Sequence, residues 1–254
     1  MKRHDRLNAL LDELASTGQV DVDEMARRLE VSASTVRRDL NHLTEQQLVT
    51  RTRGGAVASA VSYDLPMRYK APSHPQAKAR IGQAAARLVG SHDIIALNGG
   101  TTTTEVARHL ATRTSGTLTV VTNAINIAGE LTVRRHVKLV VTGGTVRPQS
   151  FELIGPFAME TLNQLDLDLA ILGAGSIDPQ VGVKAMDTDE AQISRLMAAR
   201  ARRVVIVADS SKVGARGFAR VCGWSEVSVL VVDDQVGAGD LRTIRAAGVE
   251  VVTV

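Results

Sequence analysis

Val31-Ser32-Ala33-Ser34-Thr35-Val36-Arg37-Arg38-Asp39-Leu40 decides how the first quarter of this chain is read. Val36, Leu40 and Leu43 fall at i, i+4 and i+7, which is one apolar stripe of a helix. Ser32 stands just ahead of that stripe, where a hydroxyl accepts from an orphan N–H of the first turn. The opposite face carries Ser34, Arg37, Arg38 and Asn41. Hydroxyl, guanidinium and amide groups are what a helix presents to phosphates and base edges. An ordinary amphipathic surface helix with two solvated arginines would read the same way, so the flanks decide.

Upstream, Leu7, Leu10, Leu11 and Leu14 predict a first amphipathic helix, closed by Gly18 at a C′ position. Val22, Met25, Ala26 and Leu29 predict a short second helix capped by Asp21 or Asp23. Only Glu30-Val31-Ser32 separates it from the third, a helix-turn-helix arrangement. Downstream, Leu48-Val49-Thr50-Arg51 and Gly55-Ala56-Val57 predict two strands around Thr52-Arg53-Gly54, a hairpin wing decorated by Arg51 and Arg53. The candidate DNA-contacting residues are Ser32, Ser34, Thr35, Arg37, Arg38, Asn41, Arg51 and Arg53.

These residues resemble the winged helix-turn-helix of the DeoR family of bacterial sugar-metabolism repressors. The resemblance covers residues 3–58. It rests on Val31-Ser32, on Thr35-Val36-Arg37-Arg38-Asp39-Leu40, on Leu43, and on Arg53-Gly54-Gly55-Ala56. Gln47 departs from it, standing where the family usually has a glycine before the wing.

Charge supports this by placement rather than by total. Residues 1–58 hold nine Lys/Arg and nine Asp/Glu, a net charge of zero. Between Val31 and Ala58, however, the basic residues are Arg37, Arg38, Arg51 and Arg53 against only Asp39 and Glu45. One basic edge is enough for electrostatic docking on a duplex. The whole-chain charge of +3 adds little. Aromatic residues are 2% of the chain, which argues against stacking platforms for single strands.

The 254 residues suffice for one small and one medium domain. With 44% hydrophobic and 22% charged residues the chain reads as globular. The apolar runs are strand-sized, no signal peptide or membrane span is read, and a cytoplasmic location is expected. Cys222 is the only cysteine, so no internal disulfide forms, and the six histidines lack metal-ligand spacing. No metal and no cofactor is expected.

Ser59 to Pro75 holds three of the six prolines and reads as linker, giving expected domains 1–58 and 78–254 with residues 59–77 between them. Arg68 and Lys78 match positions often basic in the family. A helix is predicted over Ala79–Val89, with Ile81, Ala85 and Leu88 on one face. Apolar runs then predict strands at Ile94–Leu97, Leu118–Thr122, Val137–Val141, Leu169–Leu172, Val204–Ala208, Val229–Val232 and Val249–Val254. Helices fit between most of them, at Thr103–Ala111, Ala124–Leu131, Gly155–Leu165, Thr188–Ala201 and Asp240–Ala247. The expected fold is α/β, a winged helix-turn-helix followed by a mostly parallel α/β domain.

In such sheets ligands bind beyond the carboxyl ends of the strands. The first strand end reads Asn98-Gly99-Gly100-Thr101-Thr102-Thr103-Thr104 and opens a helix. Glycines for close approach, free N–H groups and hydroxyls suit a phosphate. A plain glycine turn with a threonine cap would look alike, and no Gly-Lys-Thr/Ser makes it a Walker A loop. Other strand ends carry Thr122-Asn123, Thr142-Gly143-Gly144-Thr145, Gly173-Ala174-Gly175-Ser176-Ile177-Asp178 and Asp209-Ser210-Ser211-Lys212. Together they predict a pocket at one rim.

Residues 78–254 resemble the DeoR-type sensor domain. They do so through Asn98-Gly99-Gly100-Thr101-Thr102, Leu118–Asn123, Gly143-Gly144, Gly155-Pro156, Asp187 with Glu190, and Ala208–Lys212. The family commonly has Asp-Ser-Gly-Thr-Thr where this chain has Asn98 and Gly99, so a carboxylate is missing from a sugar-facing position. The domain is in turn similar to ribose-5-phosphate isomerase, whose Asp-Gly-Ala-Asp-Glu-Ile-Asp motif aligns on Ile177-Asp178. Leu172 and Gly175 then stand where the isomerase has its first two aspartates. A proton transfer needs a positioned base, so the resemblance implies binding without chemistry and no catalytic residue.

The expected function is a repressor of a sugar or carbohydrate operon, with double-stranded operator DNA and a phosphorylated sugar as partners. A homodimer or homotetramer is expected, since one wing and one helix read one half-site. The expected effector residues are Asn98, Gly99, Gly100, Thr101, Thr102, Thr103, Asn123, Gly143, Gly144, Asp187 and Lys212. A sugar-phosphate isomerase with an accessory DNA-binding domain is the rival reading.

Overall fold

A computed structural model describes residues 2–45, 48–58, 73–113 and 116–254. Gln47, Arg68 and most of the expected linker lie outside them. The chain divides into two compact units, Met1–Ser73 and His74–Val254.

In the first unit, helix α1 (Arg3–Thr17) ends at Gly18, whose φ of 79° and N–H bond to the Leu14 carbonyl make the left-handed C-terminal cap. Strand β1 (Gln19–Asp21) follows, then α2 (Val22–Arg28), α3 (Ala33–Glu45), β2 (Val49–Thr52) and β3 (Gly55–Ala58). Asp21 caps α2 by accepting from the N–H groups of Asp23 and Glu24, both at 2.9 Å. The hairpin β2–β3 is the expected wing. The third strand, β1, was not expected; it pairs antiparallel with β3. Gly55 permits this, because a Cβ there would collide with the Val20 carbonyl oxygen. Leu7, Leu10, Leu11, Leu14, Met25, Val36, Leu40 and Leu43 form the core.

The second unit opens with α4 (Pro75–Arg87), four residues earlier than periodicity indicated. Pro75 at the helix start is the reason: its fixed φ suits a first helical position and its missing N–H costs nothing there. A seven-stranded sheet follows. Its strands are β4 (Ile94–Leu97), β5 (Leu118–Thr122), β6 (Val137–Val141), β9 (Leu167–Gly173), β12 (Ala201–Ala208), β14 (Val229–Val232) and β15 (Glu250–Thr253). Their order is β15-β14-β12-β9-β4-β5-β6, with every pairing parallel.

Alternate strand residues bury on opposite faces. Ile95, Leu97, Ile171, Val205 and Val207 pack with α4, α5 (Thr101–Ala111) and α6 (Ile125–Leu131). Ala96, Leu172, Val204, Ile206 and Leu230 pack with α7 (Pro156–Asn163), α8 (Thr188–Arg200) and α9 (Ala238–Ala246). Two further pieces sit at strand ends. One is a hairpin of β7 (Thr145–Arg147) and β8 (Glu152–Ile154); the other is a small antiparallel sheet of β10 (Ser176–Asp178), β11 (Gly182–Ala185) and β13 (Ala219–Cys222). No described helix is long and apolar enough to cross a membrane.

Candidate functional site

In the first unit α3 buries Val36, Leu40 and Leu43 and turns Ser34, Arg37, Arg38 and Asn41 to solvent. Arg37 and Arg38 have no partner among the described residues. Ser32 accepts from the Thr35 N–H at 3.2 Å, and its hydroxyl lies 2.8 Å from that of Ser34 and 2.9 Å from that of Thr35. A cluster of three hydroxyls therefore sits at the N-terminus of this helix. Arg53 is exposed at the wing tip, whereas Arg51 turns back and donates to the Gly55 carbonyl at 2.8 Å. Arg51 thus stiffens the wing before it touches anything else.

Asp39, on the buried side of α3, was read only as part of the motif. It is 1% exposed and accepts from Arg6 at 2.7 and 3.3 Å, with Arg3 at 3.5 Å. This pairing fastens α3 to α1. It leaves Arg37 and Arg38 as the unpaired cations of α3.

In the second unit, the residues expected around the effector follow the carboxyl ends of strands of the seven-stranded sheet, Asp187 apart, which opens α8. The β4 end turns at Gly100 (φ 140°) into α5. The Thr103 and Thr104 hydroxyls donate to the Gly100 carbonyl at 3.1 and 2.6 Å. The N–H groups of Gly100, Thr101, Thr102 and Thr103 have no acceptor among the described residues, since the first helical N–H bond is Thr104 to Gly100. They form a cradle for an anion.

Behind that cradle the side chains are spent on the scaffold. Asn98 is 5% exposed. Its amide nitrogen donates to the Gly173 carbonyl (3.2 Å) and the Ser194 hydroxyl (3.0 Å), while its oxygen accepts from the Gly173 N–H (2.8 Å). An ionised aspartate could not make both donations, so asparagine here fixes β4 to β9 and α8. Gly99 donates its N–H to Glu152 Oε1 at 2.8 Å. A Cβ on Gly99 would lie 2.6 Å from the Glu152 carboxyl carbon, so glycine is required by Glu152. Asn123 is fully buried and donates to Glu152 Oε1 and the Leu153 carbonyl, each at 3.2 Å.

Asp187 caps α8 by accepting from Asp189 and Glu190, and Arg147 lies 3.4 Å from it. Gly143 and Gly144 both have positive φ, 72° and 125°, and a Cβ on Gly144 would stand 2.6 Å from the Ile154 carbonyl oxygen. These glycines let the β7–β8 hairpin fold back over the rim. Lys212 ends a short 3-10 turn capped by Asp209. Its strand β12 is separated from β4 by β9 alone. At about 4.8 Å per strand, Lys212 and the cradle are based roughly 10 Å apart, a span fit for a phosphorylated small molecule.

Arg147, Glu152 and Glu190 form a group, buried at Glu152 and half-buried at the other two, that periodicity did not reveal. Arg147 donates to Glu190 at 2.9 Å. Glu152 is 3% exposed. Burial, and then the neighbouring Glu190 carboxylate, push its pKa up to about 8. Glycine where a side chain would be usual, at position 99, was the one available signal that a neighbour approaches closely.

The positions aligned with the isomerase aspartates leave no catalytic base. Leu172 is fully buried in the core. A Cβ on Gly175 would already stand 3.0 Å from the Ala185 Cα and 3.1 Å from the Lys184 carbonyl, so no aspartate fits. Asp178 pairs with Lys184 at 3.0 Å. That bond, with the N–H groups of Gln180 and Val181, lowers its pKa. No metal-ligating cluster occurs among the described residues.

Two family models match the chain: the DeoR-like helix-turn-helix domain over residues 6–60 and the DeoR C terminal sensor domain over residues 73–234. A putative aga operon transcriptional repressor of Escherichia coli O157:H7 is 31% identical, with 98% of this chain and 93% of that one covered. The glycerol-3-phosphate regulon repressor of Escherichia coli K12 is 30% identical, covering 92% of each. The repressor GlcR of Bacillus subtilis is 31% identical, covering 92% of this chain and 89% of that one. Among solved structures, ribose 5-phosphate isomerase A of Methanocaldococcus jannaschii matches with a TM-score of 0.43 and 18% identity over 56% of this chain and 55% of that one. These relatives are named as repressors, and the winged helix-turn-helix and sensor units are both present: the chain belongs to the DeoR family of transcriptional repressors, a DNA-binding regulator and not an enzyme.

Proposed function

We propose that this repressor acts in the cytoplasm on a sugar or carbohydrate operon and releases its operator when a phosphorylated sugar or related metabolite binds the rim of the parallel sheet. The observation that carries this reading is the row of unpaired N–H groups from Gly100 to Thr103 at the start of α5. They supply donors and a partial positive charge for a phosphate. Lys212 adds a full charge from two strands away, as a point-charge partner. Asp187, at the start of α8, faces the sugar hydroxyls, while the fully buried Asn123 braces the rim from behind through Glu152 and Leu153. The names of two relatives, the glycerol-3-phosphate regulon and aga operon repressors, agree with a metabolic effector.

The test is a thermal-shift comparison of phosphorylated sugars with their free forms. A ligand at 100 times its dissociation constant should stabilise the sensor unit by about 2.7 kcal/mol. The double substitution Lys212→Ala and Thr102→Val should remove that shift and the ligand's effect on DNA, leaving operator binding intact. A double variant that still releases DNA at the wild-type ligand concentration would locate the phosphate elsewhere. Coupling between ligand and DNA should be reciprocal, on the order of 1–3 kcal/mol.

Each recognition helix and wing read one half-site, so at least a dimer is part of the same proposal. Sedimentation should find a dimer or tetramer at micromolar concentration; a monomer with and without DNA would contradict it.

A further inference from the structure

Glu152 lies beside the proposed phosphate cradle without belonging to it. Its carboxyl takes the Gly99 N–H at 2.8 Å, and Gly99 is one residue from the first cradle donor, about 3.8 Å along the chain. The carboxyl also takes an Asn123 amide hydrogen at 3.2 Å. The oxygen of that amide is buried without a partner. An acid 3% exposed thus stands at the back of an anion site, close against an unpaired buried polar atom.

We propose that Glu152 is a positioning residue of the effector site, a carboxylic acid that braces Gly99 and admits an anionic group to the Gly100–Thr103 N–H groups only while it carries its proton. This rests on the effector reading above. An ionised carboxylate beside the cradle would repel the incoming phosphate across a poorly screened distance. A protonated one keeps its bonds to Gly99 and Asn123 through one oxygen and adds no charge.

The surroundings favour the protonated form. Burial raises the Glu152 pKa, and Glu190 on α8, facing it, raises it further. Arg147, on the other strand of the hairpin, is the cation of the group, but it is committed to Glu190 at 2.9 Å and Asp187 at 3.4 Å. The β4 and β5 ends meet Glu152 with neutral groups, the Gly99 N–H and the Asn123 amide. Arg147 pairs with two of the three acids, Glu190 and Asp187, and the proton on Glu152 leaves the third uncharged.

The probe is inorganic sulfate, a tetrahedral dianion that does not titrate between pH 7 and 9.5. Its affinity for the full chain would be measured by Trp224 fluorescence at both pH values, in the wild type and in Glu152→Gln. Gln is the uncharged analogue: its oxygen accepts from Gly99 and Asn123, and its amide donates where the acid proton does. The wild type should lose at least tenfold in sulfate affinity between pH 7 and 9.5, while Glu152→Gln should hold its pH 7 affinity at both. An equal loss in both proteins, or no loss in the wild type, overturns the role of Glu152 and leaves the anion site standing. No sulfate binding in either protein at pH 7 overturns the anion site and this proposal with it.

Discussion

Val36→Asp should unfold the DNA-binding unit outright. Val36 is 1% exposed and packs among Leu40, Leu43 and the leucines of α1. Arg3 and Arg6, the cations paired with the buried side of α3, are already taken by Asp39. A second carboxyl at position 36 would be buried with no partner, at a cost of several kcal/mol. A unit this small rarely has more than about 5 kcal/mol to lose. Far-UV circular dichroism should lose the helices of this unit. Fluorescence of Trp224, the only tryptophan, should melt as in the wild type, because it sits in the other unit. Operator binding should vanish at every salt concentration.

The neighbouring positions should behave in the opposite way. Arg37→Ala and Arg38→Ala remove exposed side chains without partners, so the fold should be unchanged. An arginine that reads a base edge should lose about 1–3 kcal/mol of discrimination at one base pair. One that holds a phosphate should instead weaken binding across all sequences and reduce the salt slope by about one. Mobility shifts at two salt concentrations separate the cases. Wild-type binding by both variants would remove α3 from the groove.

What the sequence made legible follows from which interactions it records. The sheet was readable because parallel strands buried on both faces are continuous apolar runs. Ile94–Leu97, Leu118–Thr122, Val137–Val141 and Val229–Val232 all begin and end as expected. Short antiparallel pieces are held by backbone pairing and leave little pattern. Thr145-Val146-Arg147 and Glu152-Leu153-Ile154 look like loop, as does Gln19-Val20-Asp21. The cradle at Gly100–Thr103 was legible because glycine and threonine before a helix have a local meaning. Asn98 and Asn123 were read as ligand-facing from the same rim, yet their amides bind Gly173, Ser194, Glu152 and Leu153. Polar residues at a strand end serve the scaffold or the ligand alike, and only their partners tell which. Glu152 stayed hidden because its partners are 53 and 29 residues away.

That acid should make the sensor unit less stable as pH rises. The folded state holds the Glu152 proton with a pKa of about 8, because burial and Glu190 disfavour the carboxylate, against an ordinary value of 4.5 in the unfolded chain. Below pH 4.5 both states carry the proton, and the group's stabilising share is fully present. Between pH 4.5 and 8 the unfolded chain has released the proton while the folded one retains it, so stability falls with pH, by about 1.4 kcal/mol per unit. Above pH 8 both states are ionised and the loss levels off. Glu152→Gln has no proton to hold, so its curve should lack this slope. Urea denaturation followed by Trp224 fluorescence from pH 5 to 9 isolates the effect as the difference between the two proteins. The wild type should lose ground to the variant steadily up to about pH 8, a few kcal/mol in all. Parallel curves would mean that Glu152 is ionised in the folded protein, with Arg147 shared between it and Glu190 rather than committed to Glu190 and Asp187.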